Sequence, residues 1–369
     1  MTADSSPPIP SSVTFVMPNF NHAEFLRESL SALFDQTRPA DRIIVIDDGS
    51  TDDRSGIIAS LIKGRDDVTH IRNPKNRGVI ACLNQGLDLV DTEFVAFSAA
   101  DDRLDRRFVE RSLPLLLRNA GAALSVAKII VTDGEGKMIG ERPTFPPASG
   151  DRYISPTEFA RIIRARDNFL IGQVAMYRTA ALKALGGFDG KLASLADGMA
   201  MRVLAARHGF CFVDEVLGVW RKHGGNYSVK TALDTRGFDE ILENAKVVAR
   251  AAPVDGFPPK FERLLERRIR FDAARVLLEN RQFDIRETWA KDKAEYRTYL
   301  RYPALFRALS ALAPPLAKFL SLAALYLIYR PYHPSAVLSF LTRRRRTAKQ
   351  RAEAPRPPPR TAGPGSSSP

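Results

Sequence analysis

Two carboxylates, Asp101 and Asp102, stand side by side directly after the apolar run Glu93–Phe97, EFVAF. Adjacent acids repel each other, and Asp is depleted in strands, so the pair calls for a chemical reason. Hard oxygen ligands suit Mg²⁺ or Mn²⁺, and a divalent cation bridging such a pair to phosphate oxygens relieves the repulsion. Two other polar clusters follow apolar runs in the same way: PNFN at 18–21 and DDGS at 47–50. A G-x-G-x-x-G loop after the first run is absent, as is any G-x-x-x-x-G-K-[ST] loop. The usual dinucleotide and P-loop modes of holding phosphate are therefore not expected, which leaves the acids and a metal to handle it.

The elements that must position these clusters are readable from periodicity. VTFVM (13–17), RIIVI (42–46), VTHI (68–71) and EFVAF (93–97) read as strands. Between them, residues 24–36 and 76–90 carry helical apolar spacing, with Leu26, Leu30 and Leu33 on one face of the first, and Ser50 or Thr51 can cap a helix over 52–63. Repeated β-α units with apolar strands predict an α/β domain, a doubly wound and mostly parallel sheet covered on both faces. Ligands of such sheets bind beyond the carboxyl ends of the strands. PNFN, DDGS and ADDR (100–103) are therefore expected to converge on one crevice.

Composition bounds the rest. The 369 residues, 44% hydrophobic and 26% charged, suffice for a sizeable core. A net charge of +13 admits an anionic partner, but the segment from Arg343 onward holds eight basic residues and one acid. The basicity is thus concentrated in that segment, and the absence of interleaved aromatic and basic residues elsewhere argues against nucleic acid. Cys82 and Cys211 are too few for a disulfide framework or a zinc site and are expected as buried free thiols. The opening MTADSSPPIPSS has no basic n-region and no apolar h-region, so a reducing, cytoplasmic location is expected.

The series VxxPNFN, IIVIDDGSTD, NRGVIACLNQGL, FSAADD, GGFD and WRKHGGNYS, spread over residues 12–228, resembles the family-2 glycosyltransferases with the GT-A fold. That resemblance implies an inverting transfer of a sugar from a nucleotide sugar, a UDP-sugar favoured, to the hydroxyl of a saccharide or lipid-linked acceptor. It implies a nucleotide site at Pro18, Phe20, Asn21, Asp48, Arg77 and Asp101, with Phe20 packing on the base and Asp48 accepting from it. Metal ligands implied are Asp101, Asp102 and His223. Asp197, at the end of GGFDGKLASLAD, resembles the general base, and Gly172, Gln173 and Arg221 lie on the acceptor side, with Asn168 near them. Two family acids are replaced, by Ala99 and Ala196. The alternative reading is a catalytically degenerate, sugar-nucleotide-binding scaffold. A nucleotidyltransferase would bring a Gly-rich basic loop after the first strand, and PNFNHAEF has neither Gly nor Lys.

The expected organisation is a flexible leader over 1–11, the GT-A domain over 12–228, a helical extension over 229–302, apolar helices over 303–342 and a basic, Pro/Ser-rich tail over 343–369. LAKFLSLAALYLIY (316–329) spans about 21 Å as a helix, short of the roughly 30 Å hydrocarbon core. Next to RRRR (343–346), it and AVLSFL (336–341) read as a segment docking on an anionic membrane surface, on the inner face of the cell membrane.

Overall fold

In the computed structural model, residues 11–52, 56–143, 145–223, 226–227, 231, 237–252, 256–279, 305, 308–309 and 314–334 are described. The leader up to residue 10, residues 280–304, AVLSFL and the RRRR segment lie outside them.

Four parallel strands form the first half of the sheet, as the apolar runs require: β1 (Val13–Asn19), β2 (Arg42–Asp47), β3 (Val68–Arg72) and β4 (Phe94–Phe97), in the spatial order β3-β2-β1-β4. The short β5 (Arg103–Leu104) follows, then β6 (Leu124–Thr132), β7 (Met138–Arg142), β8 (Arg152–Ile154), β9 (Ala175–Arg178) and the long β10 (Phe210–Arg221). The sheet continues from β4 through β9, β6 and β10 to β5. β9 runs antiparallel to both neighbours, whereas β6 and β10 are parallel.

Alternation along β1 sends Val13, Phe15 and Met17 into one apolar layer and Val16 into the other. The first layer is covered by α1 (Ala23–Phe34), whose Leu26, Leu30 and Leu33 are buried at the predicted spacing, and by α4 (Phe108–Arg118). α2 (Gly56–Leu61) is shorter than the predicted 52–63 helix, of which residues 53–55 lie outside the described set. The second layer is covered by α3 (Val79–Asp88) and α7 (Ala196–His208). α5 (Pro156–Ala165) and α6 (Thr179–Ala184) complete this half, α5 being capped by Ser155, which accepts from the Glu158 amide. Both cysteines are buried and unbridged, and burial pushes each thiol up to about 12.

Beyond β10, α8 (Phe238–Ala251) and α9 (Phe261–Glu279) pack onto the same layer as α7, contributing Ala245, Ala249, Phe261 and Leu265 to it. The helical extension therefore shares its core with the sheet. α10 (Pro314–Tyr329) rests on α9 through Leu325 and Tyr329 and exposes Phe319 and Leu327, which are 68% and 69% accessible. Its two prolines open the helix, where a missing N–H costs nothing. No helix among the described residues is long and apolar enough to cross a membrane.

Candidate active site

The parallel register brings the ends of β1 and β2 level, pairing Asn19 with Asp47. Asn19 donates to Asp47 Oδ1 at 3.2 Å and to Ser50 Oγ at 3.1 Å. Asn21, at φ +57, takes the left-handed conformation that Asn tolerates better than most residues. Its amide donates to Ser50 Oγ (3.0 Å) and its Oδ1 accepts from the Thr51 amide (2.7 Å). The PNFN and DDGS loops are thereby stitched into one ledge, as expected. On that ledge Phe20 stays 39% exposed, an aromatic face turned to solvent.

Asp48 is buried, and its carboxylate is heavily used. It accepts from Asn73 Nδ2 (2.8 Å), from the Arg77 amide (2.9 and 3.0 Å) and from the Gly78 amide (2.8 Å) at the start of α3. Burial works against its ionised form, but these hydrogen bonds and one involving Cys82 outweigh it and hold the carboxyl below its usual value. Asp48 thus fastens the 76–78 loop to the ledge. Arg77 is exposed there, its guanidinium reaching Gln85 Oε1 at 3.2 Å.

The strand end at Phe97 leads into a tight turn in which the Asp102 amide donates to the Ala99 carbonyl. β5 then pairs antiparallel with Gly218 and Val219 of β10, which sets the end of β10 against the aspartates. Asp101 Oδ2 lies 3.0 Å from His223 Nε2 and 3.0 Å from Asn226 Nδ2. Asn226 also accepts from the His223 amide at 2.7 Å, so His223 and Asn226 close together around one carboxylate. Asp102 points the other way, accepting from the Arg221 amide (2.9 Å) and from Gln173 Nε2. Burial, then the Asp101 charge, pushes the Asp102 carboxyl up to about 8.

The guanidinium of Arg221 has its partners beside the aspartates and on α1. It reaches the Asp101 carbonyl (3.1 Å) and Glu28 (2.6 Å) and lies 4.6 Å from the Phe25 ring centroid. Its backbone amide shares the partner Asp102 with Gln173. Asn168 accepts from the Phe145 amide at 3.3 Å.

Asp197 opens α7, in the first turn. The short turn Gly172–Val174 joins it to the aspartate pair, because Gly172 lies against Asp197 while its neighbour Gln173 bonds Asp102. A Cβ at residue 172 would stand 2.2 Å from Asp197 Oδ2. Gly172→Ala is therefore expected to displace the carboxylate and to cost about 1–3 kcal/mol of overpacking. Thermal melting should register the second effect and turnover the first. Behind Asp197, Gly198 donates to Asp197 Oδ1 at 2.7 Å, and Arg202 donates to the Gly198 carbonyl at 2.8 Å. Arg202 is in turn fixed by buried Asp167 (2.9 Å), which also pairs with buried Arg268 of α9 (3.3 Å). Burial pushes the Asp197 carboxyl above the ordinary aspartate range, and the Gly198 amide and Arg202 offset only part of this.

Two participants escaped the sequence reading. Asn226 was visible in the WRKHGGNYS string but carried no assigned role. His22, one residue past PNFN, joins Asp101 and His223 in a cluster whose ligand atoms all lie within 4.8 Å of one another. Bonds of about 2.1 Å hold the ligand atoms of one cation no more than about 4.2 Å apart. The 3.0 Å Asp101–His223 pair already meets that limit. This donor set, imidazole nitrogen with carboxylate oxygen, fits a divalent first-row cation. Asp102, whose oxygens are taken by Arg221 and Gln173, is not in the cluster.

Residues 14–186 match the family model described as glycosyl transferase family 2. They are a family-2 glycosyltransferase domain. An uncharacterized glycosyltransferase of Nostoc sp. (strain PCC 7120) is 24% identical over 288 residues, covering 75% of this chain and 86% of the relative. Among solved structures, S. aureus TarS 1–349 in complex with UDP-GlcNAc superposes with a TM-score of 0.58 at 16% identity, covering 86% of this chain and 91% of that 1–349 chain. The mannosyltransferase PcManGT of Pyrobaculum calidifontis, in complex with GDP-Man and Mn²⁺, gives 0.52 at 17% identity, covering 87% and 90%. These likenesses place the glycosyltransferase in the GT-A fold, a mixed α/β domain around a mostly parallel sheet.

Proposed function

We propose that this glycosyltransferase moves a sugar, with inversion, from a nucleoside diphosphate sugar to an acceptor hydroxyl in polysaccharide or glycoconjugate synthesis. The observation that carries the reading is the short turn 172–174, which holds Asp197 and the Asp101–Asp102 end of β4 on either side of two consecutive residues. A single displacement needs a charge-stabilised leaving group on one face and a proton acceptor on the other, and this pairing supplies both.

The nucleoside lies on the ledge of Pro18, Phe20 and Asn21, with the base against the exposed Phe20 ring. Asp48 braces the 76–78 loop, from which the Arg77 guanidinium extends toward the diphosphate as a forked donor. A UDP-sugar is favoured; TarS, which binds UDP-GlcNAc, and PcManGT, which binds GDP-Man with Mn²⁺, mark the two nucleotides to separate first. Asp101 and His223 hold Mg²⁺ or Mn²⁺, which supplies positive charge to the departing diphosphate. Asp197 takes the acceptor proton. Its raised carboxyl makes it a stronger base than an exposed aspartate, which suits a sugar hydroxyl. Gly172 and Gln173 form the wall along which the acceptor, a saccharide or a lipid-linked sugar, approaches.

The exposed Phe319 and Leu327 of α10, followed in sequence by RRRR, support peripheral attachment to an anionic membrane, on its cytoplasmic side.

Melting of the purified chain with UDP, GDP, dTDP or CMP, each with and without Mn²⁺, tests the core of this. Stabilisation by one nucleotide, UDP foremost, and only with metal is the expected result. At a ligand concentration 100 times Kd it amounts to about 2.7 kcal/mol. No response to any of them would remove the donor assignment.

A further inference from the structure

We infer that His22 is a third protein ligand of the metal site, and that it tunes the site toward Mn²⁺ and Co²⁺ and away from Mg²⁺. The inference rests on the metal reading above. His22 occupies the cap position of α1, yet its side chain makes no capping hydrogen bond. His is a poor choice for that position. The first helical amide, Ala23, is instead satisfied by Asp52 Oδ2 at 2.8 Å, brought in from the neighbouring loop. The imidazole instead lies beside Asp101 and His223.

Its neighbours hold it there. The His22 and His223 rings meet edge to face, with centroids 5.9 Å apart. The Phe25 ring packs against both, at 6.2 and 5.5 Å, and is itself backed by the Arg221 guanidinium at 4.6 Å. The ligand atoms of the three residues lie within 4.8 Å of one another, so an inward shift of about half an ångström brings them to one cation's reach.

The chemistry of the set decides the metal. Mg²⁺ prefers oxygen ligands in a tight octahedron and dehydrates reluctantly. Imidazole favours the later first-row cations, with affinity rising from Mn²⁺ to Co²⁺. Two imidazoles with one carboxylate therefore discriminate more strongly than the carboxylate pair Asp101–Asp102 would.

The test is calorimetric titration of the full chain with Mn²⁺, Co²⁺ or Mg²⁺ alone. Wild type, His22→Ala, His22→Asn (which restores a good cap) and Asp101→Ala are compared. Wild type should bind Mn²⁺ and Co²⁺ more tightly than Mg²⁺. Both His22 variants should weaken Mn²⁺ and Co²⁺ at least tenfold while changing Mg²⁺ less than threefold, and pulsed EPR of bound Mn²⁺ should lose one of two imidazole ¹⁴N couplings. Unchanged Mn²⁺ affinity in both His22 variants, or parallel losses for all three metals, overturns the assignment of His22 and leaves the site itself standing. Wild-type Mn²⁺ binding that survives in Asp101→Ala, or no binding at all in wild type, overturns the metal reading together with it.

Discussion

Replacing Asp197 by Asn should lower kcat by roughly 10²–10⁴-fold, the usual worth of a positioned general base. Nucleotide-induced stabilisation should be unchanged, because the contacts of Asp197 with Gly172 and Gly198 lie outside the PNFN, DDGS and 76–78 loops. Asn preserves size and can still accept from the Gly198 amide, so the fold should tolerate the change. The pH profile of wild type provides the companion measurement. A base must be ionised to act, so the rate climbs as pH rises through its pKa. Burial raises that pKa above the ordinary aspartate value, so the acid limb of kcat should lie above the range of an exposed aspartate. In Asp197→Asn that limb should vanish. An unchanged kcat or an unmoved acid limb would take the base role away from this residue.

Asp101→Ala should have a comparable effect by a different route. Loss of several kcal/mol of charge stabilisation at the leaving group corresponds to about a thousandfold in kcat. Metal-dependent nucleotide binding should disappear as well, which separates this variant from Asp197→Asn. A structural effect accompanies the chemical one. Asp101 Oδ2 is the shared partner of His223, which is half-buried, and Asn226, which is buried, so its removal takes one hydrogen bond from each, at about 1–3 kcal/mol. Part of that is offset, because Asp102 is relieved of the neighbouring charge that helps push its carboxyl up. Turnover with and without Mn²⁺ and the melting temperature of the metal-free protein measure these contributions separately.

Much of the sheet's first half was legible because each strand is a short apolar run closed by a polar cluster. VTFVM, RIIVI, VTHI and EFVAF correspond to β1 to β4 within two residues at either end. The convergence of PNFN, DDGS and ADDR followed from parallel topology alone, since successive parallel strands must end on one edge. What escaped was everything that depends on register across the second half. β5 is two residues long, and no periodicity announces it, yet its pairing with Gly218 and Val219 decides that Arg221, His223 and Asn226 meet the aspartates. Without that register the direction of the Arg221 side chain was unreadable, and His22 had no visible relation to a histidine two hundred residues away. The restriction at Gly172 was likewise hidden, because it comes from Asp197, on a different helix. The turn Gly190–Leu195 before that helix holds Ala193 at φ +47, a backbone state that an alanine does not advertise.

The ion triad of Asp167 with Arg202 and Arg268 bears on how this chain can be cut and recombined. Arg268 belongs to α9, beyond the catalytic loops, and it also donates to the carbonyls of Ile163 (2.7 Å) and Pro331 (2.8 Å). Ending the chain at residue 228 would remove Arg268 and leave the buried Asp167 with Arg202 as its remaining charge partner. It would also bare the apolar layer that α8 and α9 cover. The helices after β10 are therefore a keystone rather than an annex. A chimera that borrows this enzyme's specificity must carry them along with the segment that bears Asp197.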